Sequence, residues 1–393
     1  MKIALISHLF PTELHPFSGK FIKDQLTMLN SEPGIEADLI VPTPFSIPFT
    51  KRKRKNHSDL LVNCEANRLR YLSFPRKRFP TLISASLSKV VGNYFKNQTY
   101  DVINVHWIYP DALCIPELKQ LGFKTVLTVH GSDWYQSKNN RTLSKLFGEV
   151  LHHVDRVLYS GPKLKEDMES HFPFLSRKSE IIYNMVDEHL YDVPAVEEKD
   201  SAKKELNWDT EKTHSLTVAN IRHEKGIDLL LKSINEEMGL KNTHFHIIGA
   251  AGPESYMTEI HSLLKANSFD NITIHQPVLP GQLIKYYHAA DFFTQPSRRE
   301  GFSVAILEAM ACGLPVICTD VGGNRFLIDD QTGLLINNGT SGKLSDELRK
   351  MAEQYKSYDR NVIHSKVTSK YGREAFKKRL LGNFTEVLAD YTV

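Results

Sequence analysis

Cysteine is scarce, with Cys64, Cys114, Cys312 and Cys318 the only four in 393 residues. Their spacing fits neither a zinc-ligand set nor a disulfide framework, so they read as small apolar side chains in a reducing compartment. No window approaches 18 apolar residues, which excludes a membrane-spanning helix from the reading. The opening run MKIALISHLFPTELHP is broken by His8 and Pro11, and no small-residue cleavage site follows. It reads as a first strand, not a signal peptide. Repeats and low-complexity tracts are missing, and no D-x-D triplet stands near a strand end. Neither sign of charge dominates, with 49 basic residues against 46 acidic ones.

What is present is an ordinary globular composition, 41% hydrophobic and 24% charged. The length suits two domains of roughly 150 to 200 residues each. Short β-rich runs alternate with helical patterns almost from end to end, the signature of parallel sheets covered by helices. In the first half the strands are expected at 2–8, 37–43, 102–108, 124–130, 156–160 and 180–184. In the second half they are expected at 215–220, 244–249, 271–275, 291–295, 315–319 and 333–337. Several are continuous apolar runs, as a sheet buried on both faces requires. The charge-rich passage VPAVEEKDSAKKELNWDTEKTH reads as a linker over 193–214. The expected organisation is therefore a doubly wound α/β domain over 1–192, the linker, a second such domain over 215–372 and a helical pattern over 373–393. In open α/β sheets ligands sit at the carboxyl ends of the strands, so a two-domain enzyme with an interdomain cleft is expected.

Basic residues concentrate between Lys51 and Arg78, where ten of them face only Asp59 and Glu65. Three readings stand: a solvated loop, a contact with anionic lipid headgroups, and nucleic acid, which ranks last and is not expected as a partner. Leu72, Phe74, Phe79, Leu82 and Ile83 interleave the second half of the cluster and favour a membrane surface over a plain loop.

The most informative stretch is SRREGFSVAILEAMACGLPV, 297–316. Pro296 to Phe302 reads as the loop after strand 291–295. Ser303 is a natural N-cap, Gly313 ends the helix that follows, and Pro315 prevents its continuation. Glu300 then lies in the loop, while Glu308 sits about one and a half turns into the helix. Backbone N–H groups at a helix start suit a polar or anionic ligand, and Gly301 permits close approach. Because a carboxylate accepts two hydrogen bonds in a fork, it matches a vicinal diol. Two of them at this spacing suit the two sugars of one nucleotide-sugar.

The stretch PSRREGFSVAILEAMACGLPVICTDVGG, 296–323, resembles the signature of glycosyltransferase family 4, with its glutamates separated by seven residues. Weaker matches run through HGSDW, YNMVD, VANIRHEKG, IIGAAGPE and TGLL, so the resemblance spans nearly the whole chain. It implies a GT-B fold, two Rossmann-like domains facing each other across a cleft, and retaining transfer of a hexose from a UDP- or GDP-linked sugar. The acceptor would be a saccharide or lipid-linked saccharide, in surface polysaccharide biosynthesis.

By this resemblance Glu308 binds the ribose, and Glu300 binds the donor sugar and steadies the reacting centre. Backbone groups of Gly301, Phe302 and Ser303 hold the sugar and the distal phosphate, and Arg222 and Lys225 meet the diphosphate. Gly19 supplies a further N–H, and His130 approaches the reaction centre. His106 and Asp133 fall on the acceptor side, Asp133 either orienting a histidine or touching an acceptor hydroxyl. The helix after Arg373 would cross back to the first domain.

This chain departs from the pattern at Asn220, where the family usually carries arginine, and in having Ser18-Gly19 for a Gly-Gly pair. No cofactor and no metal are expected, since fixed cations can stabilise the leaving diphosphate. The expected location is cytoplasmic, peripheral at the inner face of a membrane. Competing readings are a nucleotide-sugar epimerase on the same architecture and a non-catalytic nucleotide-sugar-binding subunit.

Overall fold

The computed structural model describes residues 1–12, 18–45, 66–74, 78–236, 240–267, 269–337 and 341–389. The chain forms two compact units, one of Met1–Tyr183 with the C-terminal segment from Lys377, the other of Asn184–Phe376.

The first unit is built on β1 (Lys2–Ile6), β2 (Glu36–Phe45), β3 (Asn67–Leu72), β4 (Val102–His106), β5 (Thr125–Val129), β6 (Arg156–Tyr159) and β7 (Ser179–Ile181). They lie in the order β3-β2-β1-β4-β5-β6-β7, every neighbour parallel. Ile3 to Ile6 are completely buried, which is why β1 reads as an unbroken apolar run. Helix Pro80–Phe95 buries Ile83, Leu87, Val91 and Phe95 in the same core, a stripe at steps of four residues. Each such side chain contributes about 1.5–3 kcal/mol by leaving water. Chain order reverses between β1 and β4, so their carboxyl ends open a crevice.

The second unit has β8 (Thr213–Val218), β9 (Thr243–Ile248), β10 (Ile272–His275), β11 (Phe292–Gln295), β12 (Val316–Thr319) and β13 (Gly333–Ile336). Their order is β10-β9-β8-β11-β12-β13, again wholly parallel. Here the switch point falls between β8 and β11, where the loops 219–226 and 296–303 emerge.

Two expectations need correction. The strand β3 lies inside the basic cluster, where Arg68 and Arg70 alternate with Leu69 and Tyr71. As an edge strand it keeps its charges in solvent, which hid it from a search for apolar runs. Second, 193–214 is not a linker, because the chain changes units between Tyr183 and Asn184. The passage contains helix Val196–Glu205, whose Lys199 and Lys203 reach the buried Asp291 at 2.6 and 3.2 Å. Asp291 also accepts the His214 N–H at 2.8 Å. Its lysines thus serve a buried carboxylate of the second unit.

The C-terminal helix Arg373–Ala389 buries Leu380, Phe384 and Val387. Within the first unit Lys377 pairs with Glu32 and Arg156 with Glu386, both at 2.6 Å. No helix of the described residues is long and apolar enough to cross a membrane. Most of the basic cluster, at 51–55 and 76–77, lies outside the described residues.

Candidate functional site

In the second unit the loops after β8 and β11 are clamped together. Gly226 has φ +68°, and a Cβ there would stand 2.0 Å from the Pro296 carbonyl oxygen, so only glycine lets the backbones approach this closely. Arg298 forks onto Asp228 with two bonds of 2.6 Å, and its backbone N–H donates to the Glu224 carbonyl at 2.8 Å. Burial alone pushes the Asp228 carboxyl up, but Arg298 and the Tyr256 hydroxyl outweigh it and hold it far below the usual range.

This clamp sets Lys225 against Glu300. The Lys225 ammonium lies 2.7 and 2.8 Å from the two Glu300 oxygens. Ser297 Oγ donates to Oε1 at 2.6 Å, and Gln295 Nε2 donates to the same oxygen. The Glu300 side chain is 8% exposed and that of Lys225 28%. Ser303 caps helix Val304–Ala311 by accepting the Ile306 N–H at 3.4 Å, as the spacing predicts, and donates its own proton to Gln295 Oε1 at 3.0 Å. The carbonyls of Gly301 and Phe302 are taken by Gly323 N–H at 2.7 Å and Asn184 Nδ2 at 3.0 Å. The N–H groups of Gly301 and Ser303 have no partner among the described residues. The Phe302 ring is buried against Tyr371, centroids 5.2 Å apart, so its side chain is structural.

Glu308 is buried on the helix and accepts the Tyr287 hydroxyl at 2.9 Å. Arg222 and Asn220 are both exposed, and Arg222 has no ion pair among the described residues. The second sheet thus brings Lys225, Glu300, Gly301, Phe302 and Ser303 to one place, with Glu308 one helix turn beyond. Sequence reasoning missed Gln295, Ser297 and the Arg298–Asp228 fork. The available signal was a polar pair ending a buried apolar strand.

The first unit holds Gly19, His106, His130 and Asp133. Gly19, at φ +70°, heads helix Lys20–Asn30, and a Cβ on it would meet the Leu9 carbonyl at 2.5 Å. His106 Nδ1 and His130 Nε2 are 3.1 Å apart, and Phe21 and Trp107 pack on the His130 ring at 4.5 and 4.4 Å between centroids. Burial pushes His106 down to about 3 and, with the neighbouring histidines, His130 well below its ordinary value, so both are neutral at physiological pH.

His106 is fully buried, with its Nδ1 facing His130. Asp133 is buried as well, and its Oδ2 accepts the Ile108 N–H. A carboxylate that sequence reasoning missed, Asp111, lies 2.8 Å from His8 Nδ1. Among the described residues no group of three His, Cys, Asp or Glu is placed to hold a metal ion. Cys114, Cys312 and Cys318 are free and buried.

The family model described as Glycosyl transferases group 1 matches residues 198–367, and that described as Glycosyltransferase Family 4 matches residues 32–190. A D-inositol 3-phosphate glycosyltransferase of Corynebacterium aurimucosum is 24% identical over 386 residues, covering 90% of this chain and 88% of that one. The sucrose-phosphate synthase structure from Thermosynechococcus elongatus superposes with TM-score 0.77 at 20% identity, over 99% of this chain and 100% of that one. HepE of Anabaena, in complex with UDP-glucose, does so with TM-score 0.72 at 14% identity, over 99% and 100%.

Proposed function

The chain belongs to the group 1, family 4 glycosyltransferases, with their GT-B fold, and we propose that it transfers a hexose from a UDP- or GDP-linked sugar to a saccharide hydroxyl. The observation that carries this reading is the Lys225–Glu300 contact at the β8/β11 switch point, beside the unpartnered amides of Gly301 and Ser303. Those two N–H groups suit the donor's phosphate and sugar oxygens. Lys225 swings from Glu300 to the diphosphate as charge grows on the leaving oxygens, with Arg222 beside it, and so stabilises the transition state more than the ground state. Released from Lys225, Glu300 grips hydroxyls of the donor sugar. Glu308 holds the ribose diol, steadied by Tyr287.

On the acceptor side, neutral His130 donates or accepts one hydrogen bond near the reacting centre. Retention follows from attack on the same face, with the departing phosphate accepting the acceptor's proton. The matching structure of HepE with UDP-glucose supports this choice of donor, and the relative named a D-inositol 3-phosphate glycosyltransferase supports glycosyl transfer.

A nucleoside diphosphate that binds this site raises the melting temperature. At one hundred times its Kd the stabilisation is about 2.7 kcal/mol. Screening UDP, GDP and their sugars by thermal shift tests the reading, and a chain stabilised by none of them overturns it. Turnover with the selected donor is expected to persist fully in EDTA and to give a product whose anomeric configuration, read by NMR, matches the donor. Loss of activity in EDTA restored by Mn²⁺, or an inverted linkage, refutes those two parts separately.

The acceptor in this reading is lipid-linked and met at the inner face of a membrane, in surface polysaccharide biosynthesis. Support comes from the basic cluster Lys51–Arg78 and from Phe79 and Leu82, which are 57% and 53% exposed beside Arg78. Flotation with vesicles of phosphatidylglycerol and phosphatidylcholine is expected to carry the wild-type chain and to leave behind a variant with Lys51 to Lys55 neutralised. Equal partitioning removes the membrane contact and leaves the transfer reaction standing.

A further inference from the structure

We propose that His8, held by Asp111, is an acceptor-positioning residue that offers its Nε2 to a hydroxyl of the saccharide acceptor. The inference rests on the reading of the chain as a glycosyltransferase whose first unit takes the acceptor. His8 stands two residues past the end of β1, at the carboxyl end where the first sheet switches direction and where ligands of doubly wound sheets sit. Its backbone N–H and its ring Nδ1 both bond to one atom, Asp111 Oδ2, each at 2.8 Å. An ionised carboxylate only accepts, so the Nδ1 carries the hydrogen. The two bonds fix both the tautomer and the swing of the ring. Nε2 has no partner among the described residues, and the side chain is 23% exposed.

Asp111 is completely buried, and its other oxygen, Oδ1, has no hydrogen-bond partner among the described residues. A half-satisfied buried carboxylate is costly, and an apolar residue would pack the site more cheaply. Through Oδ2 Asp111 holds both the backbone and the ring of His8. The same logic governs ring orientation by carboxylates elsewhere, where the group behind the histidine sets which nitrogen faces the substrate.

The protonation state decides what that nitrogen does. A hydroxyl beside the reacting one donates its hydrogen to neutral Nε2, so the reacting hydroxyl keeps its own proton for the departing phosphate. An imidazolium Nε2 can only donate, and that neighbouring hydroxyl loses its acceptor. Burial lowers the affinity of His8 for a proton, but Asp111 outweighs this and holds its pKa above the ordinary 6.5. The other titratable neighbours are Asp133, which favours the charged ring, and His130. Lys20, on the next helix, is paired with Asp24 at 2.8 Å. Productive positioning is therefore complete only above the His8 pKa and fades as pH falls through it. Removing the Asp111 charge moves that limb to lower pH.

The test uses the full chain labelled with ¹⁵N at histidine rings, titrated with pH and with methyl α-glucopyranoside, methyl α-galactopyranoside and methyl α-mannopyranoside as hydroxyl probes. The expected result is a neutral His8 carrying hydrogen on Nδ1, a pKa above 6.5, and an Nε2 resonance displaced by at least one glycoside. In Asp111→Asn the pKa falls. A neutral ring protonated on Nε2, or an Nε2 unmoved by all three probes, overturns the proposal. Should Asp111→Asn fail to fold, His8→Gln still decides. It should transfer to the responding glycoside at least tenfold more slowly while keeping the wild-type stabilisation by nucleoside diphosphate. Unimpaired transfer by His8→Gln also overturns the proposal. If UDP and GDP stabilise neither protein, the donor reading has failed, and the ring titration judges His8 on its own.

Discussion

Replacing Glu300 by glutamine lowers kcat/KM by roughly 10²- to 10³-fold, about 2.7–4 kcal/mol of transition-state stabilisation. The side chain accepts from Lys225 through both oxygens and from Ser297 and Gln295 through Oε1. Glutamine keeps the shape, and with its carbonyl turned to Ser297 and Gln295 it sets an NH₂ donor against the Lys225 ammonium. The pair with Lys225 is broken, the ammonium loses its poise between carboxylate and diphosphate, and a sugar diol loses its forked acceptor. The fold is spared, because the loop is held independently by the Arg298–Asp228 fork and by the Gly323–Gly301 bond. The measurement is the rate of nucleoside diphosphate release with donor and acceptor, beside a melting curve. A variant that melts like the wild type and works within threefold of its rate removes Glu300 from the chemistry.

Gly226→Ala is expected to be nearly as damaging without touching a functional side chain. The φ of +68° costs an alanine about 1–2 kcal/mol, and its Cβ would lie 2.0 Å from a backbone oxygen that cannot rotate away. The loop carrying Lys225 must therefore retreat from the loop carrying Glu300. A displacement on the order of 1 Å at a reacting site costs about 10²-fold in rate. The second unit loses roughly 2–4 kcal/mol of stability, from backbone strain and displaced packing together. Gly281→Ala is the matched control, since a Cβ there meets nothing within 4 Å. In the first turn of its helix it is expected to be neutral or to stabilise by up to about 1 kcal/mol. Equal behaviour of the two alanine variants in denaturant and in turnover would show that the clamp does not set the site.

Much of the fold was legible because both sheets are buried on two faces. Strands such as Ile3–Ile6 or Val316–Cys318 need apolar residues at successive positions, and such runs stand out against amphipathic helices. The edge strand Asn67–Leu72 was not legible, because its outward arginines interrupt the run. Nor was helix Val196–Glu205, whose lysines answer an aspartate 92 and 88 positions away. Composition cannot tell a lysine in water from one paired with a buried carboxylate.

The glutamates at 300 and 308 were readable because they belong to one strand–loop–helix segment, with its cap at Ser303 and its stop at Gly313. Local sequence determined that segment and the alternation of strands and helices, and it supplied the residues on which the proposed sugar transfer rests. Only the tertiary structure decided what they touch. Lys225 meets Glu300 across 75 positions, and His8 meets Asp111 across 103. Those contacts come from parallel strands that set the ends of distant segments side by side. The period of a strand or helix reports which way a side chain faces. It carries no information about which loop, from which neighbouring strand, will be waiting there.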